Sequence, residues 1–255
     1  VFWRRRPDVV EAWYERLDGM VGRAEAELRR QAGDDARLLV ISDHGFSRFD
    51  YKVHLNAWLH AHGYLNTRNG GPNNLREIDG TQTQAYAVGL NSLYLNLQGR
   101  EGQGSVSEEK APAVRDGLCD ALAEWRGPDG RPVVQRVYRR DEVFQGPYTS
   151  RAPDLVVGYA AGYRASSETG LGAWGSSEIE GNADHWEADH CIDAEEVPGV
   201  LFFNQGLHAF PSPSYRDVPA LALGKGITHD QSAPPDMTKE DQEIVEERLK
   251  GLGYL

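Results

Sequence analysis

The sequence has 255 residues and a mass of 28.3 kDa, the size of one large domain or two small ones. Hydrophobic residues make up 40% and charged residues 26%, which excludes disorder of the whole chain, and no apolar run reaches the roughly 20 residues that a membrane span needs. The formal charge of -12 argues against nucleic acid as a partner, and two cysteines, Cys119 and Cys191, are too few for a disulfide scaffold or a thiolate zinc cluster.

The first part of the chain predicts a helix followed by a strand. Apolar residues recur at steps of three and four over residues 10–28, after Pro7 and Asp8 as start signals. Residues 37–42 form an almost continuous apolar run, which is typical of a strand buried on both faces. A helix, a short turn and a buried strand indicate an α/β unit. Because the sequence is already apolar next to Val1, we expect the chain to begin inside a domain.

The remaining predicted elements are short. A helix over residues 55–62 has Gly63 as its C-cap, and Ser105 with Glu108 fits a capping box for a helix whose apolar face reaches Trp125. The other predicted elements are a surface loop at 66–81, strands at 85–90, 93–97, 133–138, 155–159 and 200–203, a long loop at 162–181 and a helix at 239–252.

The strongest local motif, Ser42-Asp43-His44-Gly45-Phe46, directly follows the predicted buried strand. In open α/β sheets, ligands bind at this end of the strands. Asp43 offers a hard oxygen and His44 a neutral nitrogen, the usual ligands of zinc or manganese, and Gly45 permits a sharp turn beneath an ion. The alternative is an aspartate that caps a turn beside a surface histidine; the position after a buried strand favours the metal.

A second run, residues 184–191, is dense in possible metal ligands. Its candidates are His185, His190, Asp184, Glu187 and Asp189. A solvated polar loop explains this run equally well. The other histidines, His54, His60, His62, His208 and His229, are interpreted as capping or surface residues. Neither a Gly-x-Ser-x-Gly motif nor a Walker loop is present, so the sequence contains no evident nucleophile.

Taken together, these motifs resemble the type I phosphodiesterase/nucleotide pyrophosphatase family of the alkaline phosphatase superfamily. The matching segments follow one another along nearly the whole chain: VISDHGF at 40–46, LNAWL at 55–59, GYL at 63–65, GLNSLYLN at 89–96, GRE at 99–101, APDLVVGY at 152–159, GYRAS at 162–166, DHCID at 189–193 and VPGVLF at 197–202. This ordered set is specific for the family and leaves the substrate open.

The resemblance implies an alkaline-phosphatase-like α/β fold, a mostly parallel sheet flanked by helices, and two divalent metal ions, zinc or alternatively manganese. It assigns Asp43 and His44 to one ion and His190 to the other, which leaves His185 as a second choice. It also implies that the N-terminal portion of the domain is missing, with the Ser or Thr nucleophile and further ligands expected upstream of Val1.

The resemblance therefore describes the chain as the C-terminal portion of one catalytic domain, with residues 66–150 an inserted or cap-like segment. It implies metal-dependent hydrolysis of small-molecule phosphoric esters, and little or no activity for this chain alone. A non-catalytic binding module of the same fold and a sulfatase or phosphoglycerate-mutase relative are the alternatives. Substrate-binding residues and oligomeric state are left open, and so is localisation, with the cytoplasm slightly favoured.

Overall fold

The computed structural model describes residues 2–68, 74–207 and 212–224, which form a mixed α/β structure. Its helices are α1 (Pro7–Ala32), α2 (Leu55–Ala61), α3 (Ala111–Glu124), α4 (Arg140–Val143), α5 (Ser167–Gly170) and α6 (Val218–Leu223). Its strands are β1 (Leu39–Ile41), β2 (Ser47–Val53), β3 (Ala85–Val88), β4 (Ser92–Leu95), β5 (Val134–Arg139), β6 (Leu155–Tyr159), β7 (Gly162–Ala165), β8 (Ile179–Gly181), β9 (Ala188–Asp189) and β10 (Leu201–Phe203). The predicted α/β class is confirmed.

The strands form three groups. One sheet has the order β3-β4-β6-β5, and its pairs are all antiparallel. In a second sheet, β2 pairs in parallel with β7 and antiparallel with β8 and β9. The third group is the antiparallel pair β1-β10. The short segment 42–46 connects β1 of the third group to β2 of the second, and it contains Asp43 and His44.

The prediction of a mostly parallel sheet does not hold in the described part of the chain, where β2-β7 is the parallel pair. A parallel connection needs a crossover of a dozen or more residues. Here β3 and β4 are joined by the tight turn at Gly89, whose φ of 79° favours glycine, so the two strands run antiparallel.

One hydrophobic core joins α2 and α3 to the β3-β4-β6-β5 sheet. Leu55, Trp58 and Leu59 of α2 are at most 1% exposed, and Leu118 and Leu122 of α3 are fully buried. The predicted apolar face of each helix is therefore the face that packs. Because this sheet also includes β6, it unites residues inside and outside the range 66–150. The inserted segment stays a prediction.

The predicted first helix is confirmed as α1, but none of its residues is buried. Trp13, Leu17 and Met20 are each more than half exposed. The prediction that the following strand is buried on both faces is wrong, because Ile41 of β1 is 46% exposed. Within the described ranges β1 pairs with β10 alone, so its second edge has no neighbouring strand.

Two further expectations need correction. Helix α3 begins at Ala111 after Lys110 and has no side-chain cap, so Ser105 and Glu108 do not form the predicted capping box. The predicted loop at 162–181 contains β7, α5 and β8, because β7 and β8 add to β2 despite their glycine and serine content. The predicted helix at 239–252 lies outside the described residues. None of the helices in the described ranges has the length and apolar character that a bilayer span requires.

Candidate metal centre

The segment after β1 is held against the segment before β10 by three hydrogen bonds, two of them between backbone groups. The Ser42 amide donates to the Val200 carbonyl at 3.0 Å, and the Ser42 hydroxyl accepts from the Val200 amide at 3.0 Å. The Gly45 amide donates to the Val197 carbonyl at 2.9 Å. A Cβ at Gly45 would lie 3.0 Å from the Pro198 carbonyl oxygen, so the close approach favours glycine. These contacts fix where Asp43 and His44 leave the backbone.

Asp43 and His44 are brought together at the end of β1. The Asp43 side chain is 79% exposed and that of His44 is 31% exposed. His44 Nδ1 lies 2.9 Å from the Gly45 carbonyl oxygen, which assigns the ring proton to Nδ1 and leaves Nε2 as an acceptor. Nε2 lies 3.4 Å from Asp43 Oδ2. The two atoms that can bind a cation are therefore neighbours.

His190 reaches the same place through strand pairing. Strand β9 pairs with the beginning of β2, with Ser47 opposite Asp189, so the residue after β9 lies beside the residues before β2. The rings of His44 and His190 are stacked, with centroids 3.9 Å apart and planes at 10°. Phe46 packs edge-on against both rings at 5.5 Å. The structure thus brings together the three residues that the sequence singled out.

The donor set fits divalent ions. Two ligand atoms of a tetrahedral ion with bonds of about 2.0–2.1 Å lie about 3.4 Å apart, and Asp43 Oδ2 and His44 Nε2 are separated by 3.4 Å. A hydrogen bond from Nδ1 of a histidine to a carbonyl is also the usual support for ligation through Nε2.

Asp189 accepts a hydrogen bond from the backbone of His190 and is itself paired with an arginine. Its Oδ1 accepts from the backbone amides of His190 at 2.7 Å and Cys191 at 3.2 Å, and its Oδ2 pairs with Arg164 at 3.0 Å. Burial acts to raise the pKa of Asp189, but Arg164 and these amides outweigh it, so the pKa lies below its usual value. Sequence reasoning listed Asp189 as a candidate ligand and missed its connection to Arg164.

Asp189, His190 and Cys191 form a cluster whose ligand atoms lie within 4.8 Å of one another. Burial, with the hydrogen bond to Asp189, raises the pKa of the Cys191 thiol to about 11. A metal-binding cysteine is a thiolate, so this thiol has to lose its proton before it can bind an ion. Cys119 and Cys191 are both free.

The second-choice histidine lies elsewhere in the run. His185 Nδ1 lies 3.1 Å from an Arg5 guanidinium nitrogen, at the surface. Glu187 is buried and accepts from the Arg4 amide at 2.9 Å, and it pairs with Arg5 at 2.9 Å. The Arg4 amide and Arg5 lower the pKa of Glu187. These residues attach the beginning of the chain to the 184–191 run.

Other candidates have structural partners. His54, predicted to cap a helix or lie in solvent, is the N-cap residue of α2, but its side chain makes no capping bond. That side chain is buried, accepts from the Gly175 amide at 3.1 Å and lies 3.3 Å from Glu180. Tyr159 and Tyr163 are fully buried. His60 and His62 each bond to a backbone carbonyl at 2.9 Å. Arg100 pairs with Glu101 and Asp154. His208 and His229 lie outside the described residues.

A cavity of about 410 Å³ adjoins Asp43. It is bounded by the ends of β1 and β10 and by residues 213–218. On its wall, the Tyr215 hydroxyl donates to the Ser42 carbonyl at 3.2 Å. The cavity provides space for a small molecule next to the exposed carboxylate.

A family model for type I phosphodiesterase / nucleotide pyrophosphatase matches residues 3–186. The chain therefore belongs to this family. The matched range contains Asp43 and His44 and ends shortly before His190. Among solved structures, murine ectonucleotide pyrophosphatase / phosphodiesterase 5 is similar, with a TM-score of 0.36 and 16% identity over 73% of this chain and 39% of that chain. The chain thus spans less than half of that relative's length. Comparison with curated proteins found no match.

Proposed function

We propose that this chain contributes metal ligands to a hydrolase of phosphoric esters of the phosphodiesterase/nucleotide pyrophosphatase type. Asp43 and His44 bind one divalent ion, and His190 binds a second. The observation that carries the proposal is the stacking of His44 on His190 beside Asp43, at the end of β1. Membership of the family supports the reaction class.

The donor atoms favour zinc, with manganese as the alternative. Imidazole nitrogen and carboxylate oxygen suit both ions. When bound, the ions supply positive charge that activates an oxygen nucleophile and stabilises the phosphoryl oxygens.

Neighbouring residues of this chain hold the proposed metal ligands in place. The Gly45 carbonyl holds the tautomer of His44, and the backbone bonds of Ser42 and Gly45 fix the ligand segment. Phe46 packs edge-on against both imidazoles and limits how far the two rings can turn.

The substrate is a small phosphoester. A chain with a formal charge of -12 repels an anion unless bound cations reverse the local field. The family resemblance places the hydroxyl nucleophile and the remaining ligands upstream of Val1. On this proposal they come from sequence outside the 255 residues, and the chain by itself turns over no substrate.

The test uses the complete gene product. Its metal content after dialysis is expected to be two ions per chain, and its hydrolysis of bis(p-nitrophenyl) phosphate to require them. His44→Ala and His190→Ala should each lower turnover by at least about 100-fold, because each removes an ion ligand. His185→Ala is the matched control from the same run and should retain activity.

Near-normal turnover of His44→Ala would contradict the assignment. Loss of activity in His185→Ala with retention in His190→Ala would move the second ligand to His185. A gene product without bound metal and without hydrolysis would favour a binding module of the same fold.

A further inference from the structure

Strand β7 carries a buried arginine, Arg164. The Arg164 side chain is 11% exposed, and its guanidinium lies over the Phe49 ring of β2 at 5.2 Å. Its Nε donates to the Ala165 carbonyl at 2.8 Å, and one terminal nitrogen lies 3.3 Å from the Ser167 hydroxyl. The other terminal nitrogen lies 3.0 Å from Asp189 Oδ2 on β9. Because β2 pairs with both β7 and β9, the arginine links two strands that flank β2.

The two oxygens of the Asp189 carboxylate have different partners. Oδ2 binds Arg164, while Oδ1 accepts from the backbone amides of His190 and Cys191. With its side chain 10% exposed, Asp189 has little access to water as a substitute partner. The direction of two consecutive peptide groups at His190 therefore depends on one buried carboxylate.

We infer that Arg164 is a positioning residue for His190 and acts through Asp189. The ion pair holds the carboxylate in place, the carboxylate holds the two amides, and the amides set where the imidazole meets His44. Arginine suits this position because its planar fork binds the carboxylate, a carbonyl and a hydroxyl at once, which a lysine ammonium does with less geometric definition.

Removal of the guanidinium would leave the Asp189 carboxylate buried without a cation. Without the guanidinium, nothing holds the carboxylate in this orientation, and a buried unpaired charge turns towards water. That movement weakens the acceptor that orients the amides of His190 and Cys191. The effect on metal binding rests on the proposed function, whereas the effect on the backbone at His190 does not.

The experiment compares Arg164→Met and Arg164→Lys in the complete gene product, because the proposed function takes the remaining metal ligands from outside the 255 residues. Hydrogen exchange of the His190 and Cys191 amides is measured without metal, and Zn²⁺ affinity is measured by competition titration. Arg48→Met is the control, since Arg48 makes an exposed ion pair with Asp50 on β2. Thermal melting reports any global loss of stability separately.

In Arg164→Met we expect exchange of these two amides to accelerate more than that of the core amides of α2. The Zn²⁺ affinity is expected to fall by about 10–100-fold, the usual effect of removing a group that orients a metal ligand. Arg164→Lys should recover most of both, and Arg48→Met should change neither. If Arg164→Met does not fold, Asp189→Asn replaces it, since the amide keeps an acceptor oxygen but loses the charge; it should also accelerate exchange.

Unchanged exchange at His190 and Cys191 in a folded Arg164 variant overturns the inference. Zn²⁺ affinity that is equal in Arg164→Met and wild type overturns it as well, and leaves the proposed function intact. If the complete wild-type gene product binds no Zn²⁺ at all, the metal ligands of the proposed function are contradicted, and amide exchange alone then decides the role of Arg164.

Discussion

His44 and His190 lie face to face, with ring centroids 3.9 Å apart and 10° between the ring planes. The contact is made because β9 pairs with the beginning of β2, so that the residue after Asp189 returns to the residues before Ser47. Side chains that are far apart in sequence thus become neighbours through a two-residue strand. The candidate centre is consequently sensitive to backbone geometry on both sides of this contact.

The first prediction concerns Gly199, which precedes β10 and lies against the backbone of Ser42 and Asp43. A Cβ at this position would overlap the Ser42 carbonyl oxygen and lie 3.0 Å from that of Asp43. Since backbone atoms cannot move aside cheaply, Gly199→Ala should destabilise the chain by about 1–3 kcal/mol and displace Asp43. Chemical denaturation measures the first effect and Zn²⁺ titration the second.

The matched control is Gly181→Ala on β8, where a Cβ would meet nothing within 4 Å. It should leave both quantities close to those of the wild type. Equal effects of the two substitutions would show that crowding at the Ser42 carbonyl is not the cause.

A second prediction concerns Asp154, a buried carboxylate ahead of β6. It accepts from the Leu95 amide and pairs with Arg100 at 2.8 Å, and it also pairs with Arg140. Asp154→Ala would leave two partly buried guanidinium groups without their anion and one strand amide unpaired. We expect a loss of about 3–5 kcal/mol in the free energy of unfolding, measured by denaturant titration.

Asp116→Ala is the comparison for Asp154→Ala. Asp116 pairs with Arg139 at 2.9 Å, but its side chain is 54% exposed. An exposed pair contributes about 0–1 kcal/mol. If removal of Asp116 were as damaging as removal of Asp154, burial would not be what gives the Asp154 network its strength.

A third prediction is a pH dependence. The Tyr163 hydroxyl donates to Asp129 at 2.6 Å and, with Arg131, lowers the pKa of Asp129 to about 2. An unfolded aspartate has a pKa of about 3.9. Because the folded pKa is the lower one, the stabilisation is fully present above about pH 4 and is lost as the pH falls towards about 2.

Thermal melting of the wild type and Asp129→Asn across this range tests the dependence. The difference in melting temperature should be largest near neutral pH and shrink below about pH 4. In Tyr163→Phe, which lacks the hydroxyl donor, the remaining effect of Asp129→Asn should be smaller. A difference that is constant with pH would contradict the prediction.

A fourth prediction concerns Asn56 of α2, whose buried amide replaces a neighbouring strand at the outer edge of β3. Its Nδ2 donates to the Ala87 carbonyl at 2.9 Å, and its Oδ1 accepts from the Ala87 amide at 2.7 Å. Asn56→Ala would leave both backbone groups of Ala87 buried and unpaired. The expected loss is about 2–4 kcal/mol in the free energy of unfolding.

The control for this substitution is Asn66→Ala. Asn66 donates through Nδ2 to the Gln82 carbonyl at 2.8 Å, but at the surface, where water can replace the bond. Denaturant titration should therefore show a change of well under about 1 kcal/mol for Asn66→Ala. A similar loss in both variants would rule out burial as the reason for the importance of Asn56.

Much of the local structure could be predicted from the sequence. Helices α1, α2 and α3, and strands β3 to β6, lie within a few residues of their predicted positions. Each has an apolar periodicity or a turn signal within its own residues. The glycine-rich range 162–181 was misjudged, because β7 and β8 depend on pairing with β2, a distant segment, rather than on their own composition.

In the candidate centre, too, some features have a local sequence signal and others depend on the pairing of distant strands. That Asp43 and His44 follow a strand could be predicted from the sequence, since adjacent residues and a strand signal are local properties. The choice between His185 and His190 was left to the resemblance, and the spatial relation depends on the pairing of β9 with β2. Arg164 and Asp189 were joined only by the tertiary structure. The periodicity of apolar residues is a property of neighbouring positions in the chain. Contacts between distant side chains arise from the packing of strands, and the sequence pattern does not specify that packing.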